Sequence, residues 1–382
     1  MFENRGRMKC RRAKIEKNMF GFPRSLYRTD QVPSVCRELF INSGYRSPHS
    51  SIKQCVMSLF EVTNETVNIW THILPAFYFT WKIVKCWQSY DFVDDPYATP
   101  LFILLLSCWG YLMASSFAHI FSAMSVLSRH VCFFMDYASL SLYSFGSAVA
   151  YRTYCLPDGA YVANYGNYYL YAAVCNAILC TVFSCLSRYL KLSPLLTTCR
   201  MMSFLFPYIY DNIPIIYRLA FCHGEDLGCQ SDGLRLHFGQ YFFSLLAGLA
   251  YCSHLPERIR PGTFDFIGHS HQIFHVMGAI ASYLQIKATM SDSAARKSFI
   301  LKHDQTIPSS QWLFALTAFL SVVNVAIIVY FGVQMYLYSL HADHKDNLQL
   351  VDQLVDGDSD LENEDDDDED DDNSNIKQKK SL

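Results

Sequence analysis

Eight windows of about twenty predominantly apolar residues, near 67–88, 99–121, 131–151, 168–187, 201–221, 236–254, 266–286 and 312–337, take up nearly half of this 382-residue chain. A helix needs about 20 such residues to cross a ~30 Å hydrocarbon core, and a central Asp, Lys or Arg costs roughly 2.5–3.5 kcal/mol on insertion scales. The pattern predicts an all-α polytopic membrane protein. Composition supports this: 51% of residues are hydrophobic, 15% aromatic and only 17% charged, against the roughly 25% charged of a soluble domain. The charge is also segregated. Fourteen acids lie between Asp352 and Asp372, while residues 1–53 hold 12 Lys/Arg against 4 Asp/Glu. A soluble enzyme, a nucleic-acid-binding module and a disordered scaffold are all excluded. The expected organisation is a basic cytosolic segment over 1–53, a helical transmembrane domain over 54–340 and an acidic, self-repelling cytosolic tail over 341–382.

Pro75, Pro207 and Pro214 fall inside windows, where neighbouring helices re-satisfy the freed carbonyls, so they mark kinks rather than breaks. No short h-region with a small-residue cleavage site precedes the first window, and a cleaved signal peptide is not expected. Lys/Arg counts favour both termini in the cytosol; the loop holding Lys287, Arg296, Lys297 and Lys302 is the part that fits this rule least. Most of the fourteen cysteines fall in windows or cytosolic segments, where thiols stay reduced. Cys155, Cys222 and Cys229 reach the other side, and there a Cys222–Cys229 bridge stands beside free apolar thiols as a reading. The sequon Asn64-Glu65-Thr66 lies on the cytosolic side and is expected to be unglycosylated.

Ionisable groups inside spans are expensive and point to function. Ser115 and His119 end the second window four residues apart, which places them on one helix face. Asp136 begins the third window, and His271 and His275 repeat the i, i+4 spacing at the start of the seventh. In the positive-inside topology all five share one depth near the cytosolic face. Three neutral imidazoles with an open fourth position describe a catalytic-type zinc site, with Asp136 holding water or orienting a ligand and Ser115 hydrogen-bonding beside it. Separately satisfied interhelical hydrogen bonds are the competing account. His72, His130, His254 and His269 lie near helix ends and are read as interfacial. In the fifth window, Pro207, Asp211, Asn212 and Pro214 interrupt the apolar run, and Arg218 lies seven residues beyond Asp211. An internal Asp211–Arg218 pair is one reading. The other makes Asp211, Asn212 and Arg218 the polar end of a lipophilic pocket.

Several motifs resemble the progestin and adipoQ receptor family: Gly44-Tyr45-Arg46-Ser47-Pro48, Ser58-Leu59-Phe60, Asn64-Glu65-Thr66-Val67-Asn68-Ile69-Trp70-Thr71-His72, Ser115-x3-His119, Asp136-Tyr137, and Pro256-Glu257-Arg258 leading to Ser270-His271-Gln272-Ile273-Phe274-His275. The similarity covers about residues 30–340, leaving out the basic first thirty residues and the acidic tail. Matched by motif, the family's zinc ligands fall on His119, His271 and His275, and its zinc-site acid and serine on Asp136 and Ser115. Asn64, the run His254-Leu255-Pro256-Glu257-Arg258 and the eighth window look like the membrane progestin receptor branch, and Ser122-Ala123-Met124-Ser125 and Gly146–Tyr151 like its gamma type. The resemblance implies a seven-helix core plus an eighth C-terminal transmembrane helix. It also implies a plasma-membrane receptor for progestins and related neurosteroids, with membrane lipids and an inhibitory G protein as partners and a link to oocyte maturation. A competing implication is zinc-dependent amide hydrolysis of ceramide-type lipids, because related enzymes use the same His/Asp/Ser set.

Overall fold

The computed structural model of the chain describes residues 16–17, 23–24, 26–156, 160–190, 194–221, 232–303 and 307–361. The acidic run at 364–372 and the Cys222/Cys229 pair lie outside the described residues. Two compact units are present, residues 1–332 and residues 333–382.

Apart from a two-residue antiparallel pairing of β1 (Glu16–Lys17) with β2 (Pro23–Arg24), the regular structure is helical. A short α1 (Ile52–Met57) precedes α2 (Thr66–Trp87), α3 (Thr99–Phe121), α4 (Val126–Tyr154), α5 (Ala160–Tyr189), α6 (Pro194–Phe221), α7 (Asp232–Ser253), α8 (Ser270–His303) and α9 (Ser310–Leu361). Each apolar window lies on one of the long helices. Three stretches, Thr99–Phe121, Tyr168–Tyr189 and Ser310–His341, are by length and composition able to cross a membrane. The other long helices carry more polar groups, such as Arg129, His130 and Arg152 on α4 and His237 and Gln240 on α7, and these are buried inside the bundle. Large apolar side chains lie outward instead, Phe77 and Trp81 on α2, Phe206 and Ile209 on α6, Phe238 and Leu245 on α7 and Val322 and Val325 on α9. Such an outer surface belongs in hydrocarbon. The chain is a helical membrane protein.

Local chemistry sets several helix ends. Ser51 accepts from the Gln54 backbone N–H while the Gln54 side chain accepts from the Ser51 N–H, a reciprocal cap that starts α1. Ser125 caps α4 by accepting from the Ser128 N–H at 3.0 Å. Pro75, Pro207 and Pro214 all sit within continuous helices. α8 runs well past residue 286, where its apolar window ends. Its added turns carry Asp292 and Arg296, both buried, and both are partnered: Asp292 by Arg218 at 2.8 Å, Arg296 by the carbonyls of Tyr154 and Leu156 at 2.6 and 2.9 Å. Hydropathy sees only the charge, whereas pairing removes most of the cost of burying it.

α7 packs along α8, α3 along α4, and α2, α3 and α4 all reach α8, which is therefore central. One core joins Phe79 of α2, Leu101, Leu104, Leu105 and Leu112 of α3, Tyr151 and Tyr154 of α4 and Ile286 of α8. A second joins Phe145 and Val149 of α4 to Tyr169 and Ala173 of α5 and Leu313 and Leu320 of α9. Asn324 of α9 locks this second cluster, accepting from Thr181 at 2.9 Å and donating to Ser141 at 3.0 Å. Before α1, Tyr27 and Tyr45 exchange backbone hydrogen bonds, and Asp265 accepts from the Asn42 N–H at 3.0 Å and from the Ser43 hydroxyl at 2.6 Å. Gly44, at φ +89°, sits where a Cβ would press on the Asn64 backbone and the Phe266 ring. The fold thus brings Arg46 under the end of α3, where its guanidinium donates to the carbonyls of His119 and Ile120 and to the hydroxyls of Ser58 and Ser122. In the second unit, α9 continues from Val333 to Leu361, beyond the window ending near 337.

Candidate metal centre

The last turn of α3 and the first two turns of α8 meet, and with them His119, His271 and His275. One ligand nitrogen from each ring lies within 4.8 Å of the other two. His119 Nε2 and His271 Nε2 are 3.3 Å apart, and the ring centroids are separated by 4.5 to 5.1 Å. The start of α8 is fixed by Glu257, whose carboxylate accepts from the Ser270 N–H at 2.7 Å and from the Ser270 hydroxyl, and by Gln272, which accepts from the Gly268 N–H at 2.6 Å. The i, i+4 spacing then turns both α8 imidazoles toward α3.

Two of the rings are oriented from behind. His119 Nδ1 faces Glu65 Oε2 at 2.7 Å, and His275 Nδ1 faces the Asn68 carbonyl and the Thr71 hydroxyl, each at 3.2 Å. An imidazole that donates Nδ1–H to an oxygen keeps its lone pair on Nε2, the arrangement found behind metal-bound histidines. With His271 Nε2 beside them, the three rings could hold one metal ion through nitrogen. Asp136 on α4 lies near His119, Arg188 and the Ser115 hydroxyl, but its carboxylate is not among the ligand atoms gathered within 4.8 Å. The five residues read from the sequence thus share one neighbourhood, with the histidines innermost.

Sequence reading missed the supporting residues. Glu65 precedes α2 and lies in the Asn64–His72 motif, but that motif gave it no role at the site. Asn68 contributes a backbone carbonyl, which no side-chain pattern reveals. His72, read as interfacial, is instead buried: its ring stacks on His275 with centroids 3.9 Å apart and meets Tyr111 edge-on. The neighbouring helices cover it, so the aqueous boundary lies elsewhere.

The fifth-window residues separate. Arg218 does not pair with Asp211; its two Nη atoms bind Asp292 of α8 at 2.8 and 3.2 Å. Asp211 accepts from the Ser144 hydroxyl, and its backbone carbonyl accepts from Tyr169 at 2.6 Å. The pair fails because α4 and α8 supply closer partners from other helices. Asn212 lines a cavity of about 360 Å³ with Tyr208, Ile209, Ile216, Leu219 and Tyr241, and accepts from the Tyr241 hydroxyl at 3.0 Å. Asp211 and Arg218 are not among the residues lining it.

Residues 60–286 match a family described as "Haemolysin-III related". The chain is 40% identical over 313 residues to the membrane progestin receptor gamma of Homo sapiens, covering 81% of this chain and 94% of that protein. It is 42% identical over 332 residues to the membrane progestin receptor gamma-A of Danio rerio, covering 82% and 94%. With the membrane progestin receptor delta of Homo sapiens it shares 42% identity over 285 residues, 74% of this chain and 83% of that protein. With similarity of this extent and the histidine trio in place, the chain belongs to the haemolysin-III-related, progestin and adipoQ receptor family.

Proposed function

We propose that this chain is a plasma-membrane receptor for progestins and related neurosteroids. It crosses the bilayer eight times with both termini cytosolic, signals through inhibitory G proteins and is linked to oocyte maturation. The observation that carries this reading is identity of about 40% with named progestin receptors along four fifths of the chain. A steroid is a rigid apolar body with a polar group at each end. The groove beside Asn212, open on the outer face of the bundle and lined almost wholly by apolar surface, has a volume of about 360 Å³, within the ~300–1,000 Å³ of small-molecule sites, and suits the apolar body of such a ligand. The test is binding of radiolabelled progesterone to purified, reconstituted protein. Saturable binding is expected, and Ile216→Trp, which fills the groove, should weaken it. No saturable binding in the wild type would overturn the proposal.

Within this reading His119, His271 and His275 hold zinc, which when bound polarises an oxygen ligand and makes its proton easier to remove. One feature favours a second reading, zinc-dependent amide hydrolysis of a membrane lipid such as ceramide: Asp136 and Ser115 stand beside the trio without being part of it. There Asp136 takes the proton from the attacking water, and Ser115 holds the carboxylate in place by a hydrogen bond. Ceramide turnover by the wild type, abolished in Asp136→Asn while progesterone binding persists, would establish hydrolysis as an activity beside binding.

A further inference from the structure

At the far end of the bundle, α4, α7 and α8 bring a different set of side chains together. Along α8 the rise from His275 to Asp292 is ~25 Å at 1.5 Å per residue, so this set is separated from the histidine trio by most of a bilayer. Cys155, just past the end of α4, His237 of α7 and Asp292 of α8 are each 0% exposed. Their ligand atoms converge: Cys155 Sγ to Asp292 Oδ2 is 3.3 Å, His237 Nε2 to the same oxygen 3.1 Å, and Sγ to Nε2 3.9 Å. Around a zinc ion with bonds of ~2.0–2.3 Å, tetrahedral ligand atoms stand roughly 3.3–3.8 Å apart. The observed edges, 3.1 to 3.9 Å, straddle that range, so a shift of a few tenths of an ångström would seat an ion.

The proton inventory points the same way. His237 Nδ1 faces Gln240 Oε1 at 3.2 Å, and with the ring's proton on Nδ1 the Nε2 lone pair is left for a cation. Gln240 is itself held, donating to the Tyr151 hydroxyl at 3.1 Å. Nε2 itself faces a carboxylate oxygen that already accepts from Arg218 at 2.8 Å. A proton on Nε2 or a bound cation can each hold these two atoms at 3.1 Å in a dry site. A carbonyl behind the imidazole and a guanidinium behind the carboxylate are the supports that fix ligands around a metal. Gly233 keeps the place open, since a Cβ there would collide with Asp292 Oδ1.

We propose that Cys155, His237 and Asp292 form a second metal site, which takes a divalent cation of the zinc class. Binding releases the Cys155 thiol proton to solvent, so that the thiolate and the Asp292 carboxylate offset two of the three positive charges then carried by the cation and Arg218. The mixed sulfur, nitrogen and oxygen donors distinguish it from the all-imidazole trio and supply its test. Full-length protein in detergent is stripped with a chelator and reloaded with Co²⁺. A thiolate-to-cobalt charge-transfer band in the near ultraviolet is expected in the wild type and in the His119→Ala/His271→Ala variant, and should be lost in Cys155→Ser. Reloaded with Zn²⁺, Cys155→Ser/His237→Gln should hold about one ion per chain fewer than wild type. Arg218 and Asp292 are left intact, so the ion pair that ties α6 to α8 survives. Absence of the band in the wild type, its persistence in Cys155→Ser, or an unchanged zinc count each overturns the proposal. The wild-type band decides even where a variant fails to fold, and the trio variant separates failure of one site from failure of the other.

Discussion

Replacing Glu65 by glutamine removes a negative charge 2.7 Å behind His119 while keeping the side chain's length and its neighbour Asn68, which donates to Glu65 Oε2 at 2.8 Å. Both Glu65 and His119 are buried, so solvent does little to screen the change. A hydrogen bond to a charged acceptor is worth ~1.5–3 kcal/mol and one to a neutral amide ~0.5–1.5 kcal/mol. The difference of ~1–1.5 kcal/mol corresponds to about a tenfold loss of metal affinity, at the lower end of the 10–100-fold typical of a partner behind a metal-bound histidine. Competition against a chelator of known affinity, on purified protein in detergent, measures this directly. Glu65→Gln should shift the zinc midpoint by about one decade, and His275, supported by the Asn68 carbonyl, should remain a ligand. An affinity within twofold of wild type would refute the view that Glu65 sets the orientation of the His119 ring.

Arg218→Met leaves the Asp292 carboxylate buried without its guanidinium, which should cost about 3–5 kcal/mol and lower the thermal midpoint in detergent; Arg218→Met/Asp292→Leu, which also removes the stranded charge, should recover part of the loss. Leu105→Ala, at a fully buried position of α3, should destabilise by about 2–5 kcal/mol through the cavity it leaves, read by the same melt. Epitope tags inserted near residue 5 and residue 375 should be reached by antibody only after permeabilisation, and labelling of either on intact cells would reverse the proposed topology.

The helices were legible because a bilayer imposes length and apolarity directly on the sequence, and every apolar window falls on a long helix. The i, i+4 pair His271 and His275 was legible for a similarly local reason, since a helix face can be counted in residues. What failed was long-range. Arg218 stood seven residues from an acid on its own helix, yet its partner is Asp292, which only the packing of α6 and α8 supplies. His72 read as interfacial because windows report distance along the chain and not which neighbours cover a side chain. The ends of α8 and α9 were set too early because a hydropathy window stops at the first charges, whether or not they are paired. Glu65 and Asn68 stand inside a motif and His237 inside an apolar window, but nothing in the sequence says which ring or carboxylate each one faces; those pairings follow from three dimensions alone.

Arg46 bears on where the working part of this molecule begins. Its guanidinium satisfies carbonyls at the end of α3, including that of His119 itself, and it is held in turn by a turn at Gly44 and by the pairing of Tyr27 with Tyr45. A chain trimmed to start at the first apolar window, the natural cut on hydropathy grounds, would lose that plug, taking its charged donor from the carbonyls of His119 and Ile120. Truncations meant to ease expression or crystallisation therefore have a floor upstream of Tyr27. A protease that clips between Tyr27 and Arg46 would act on the histidine cluster without touching any residue in it.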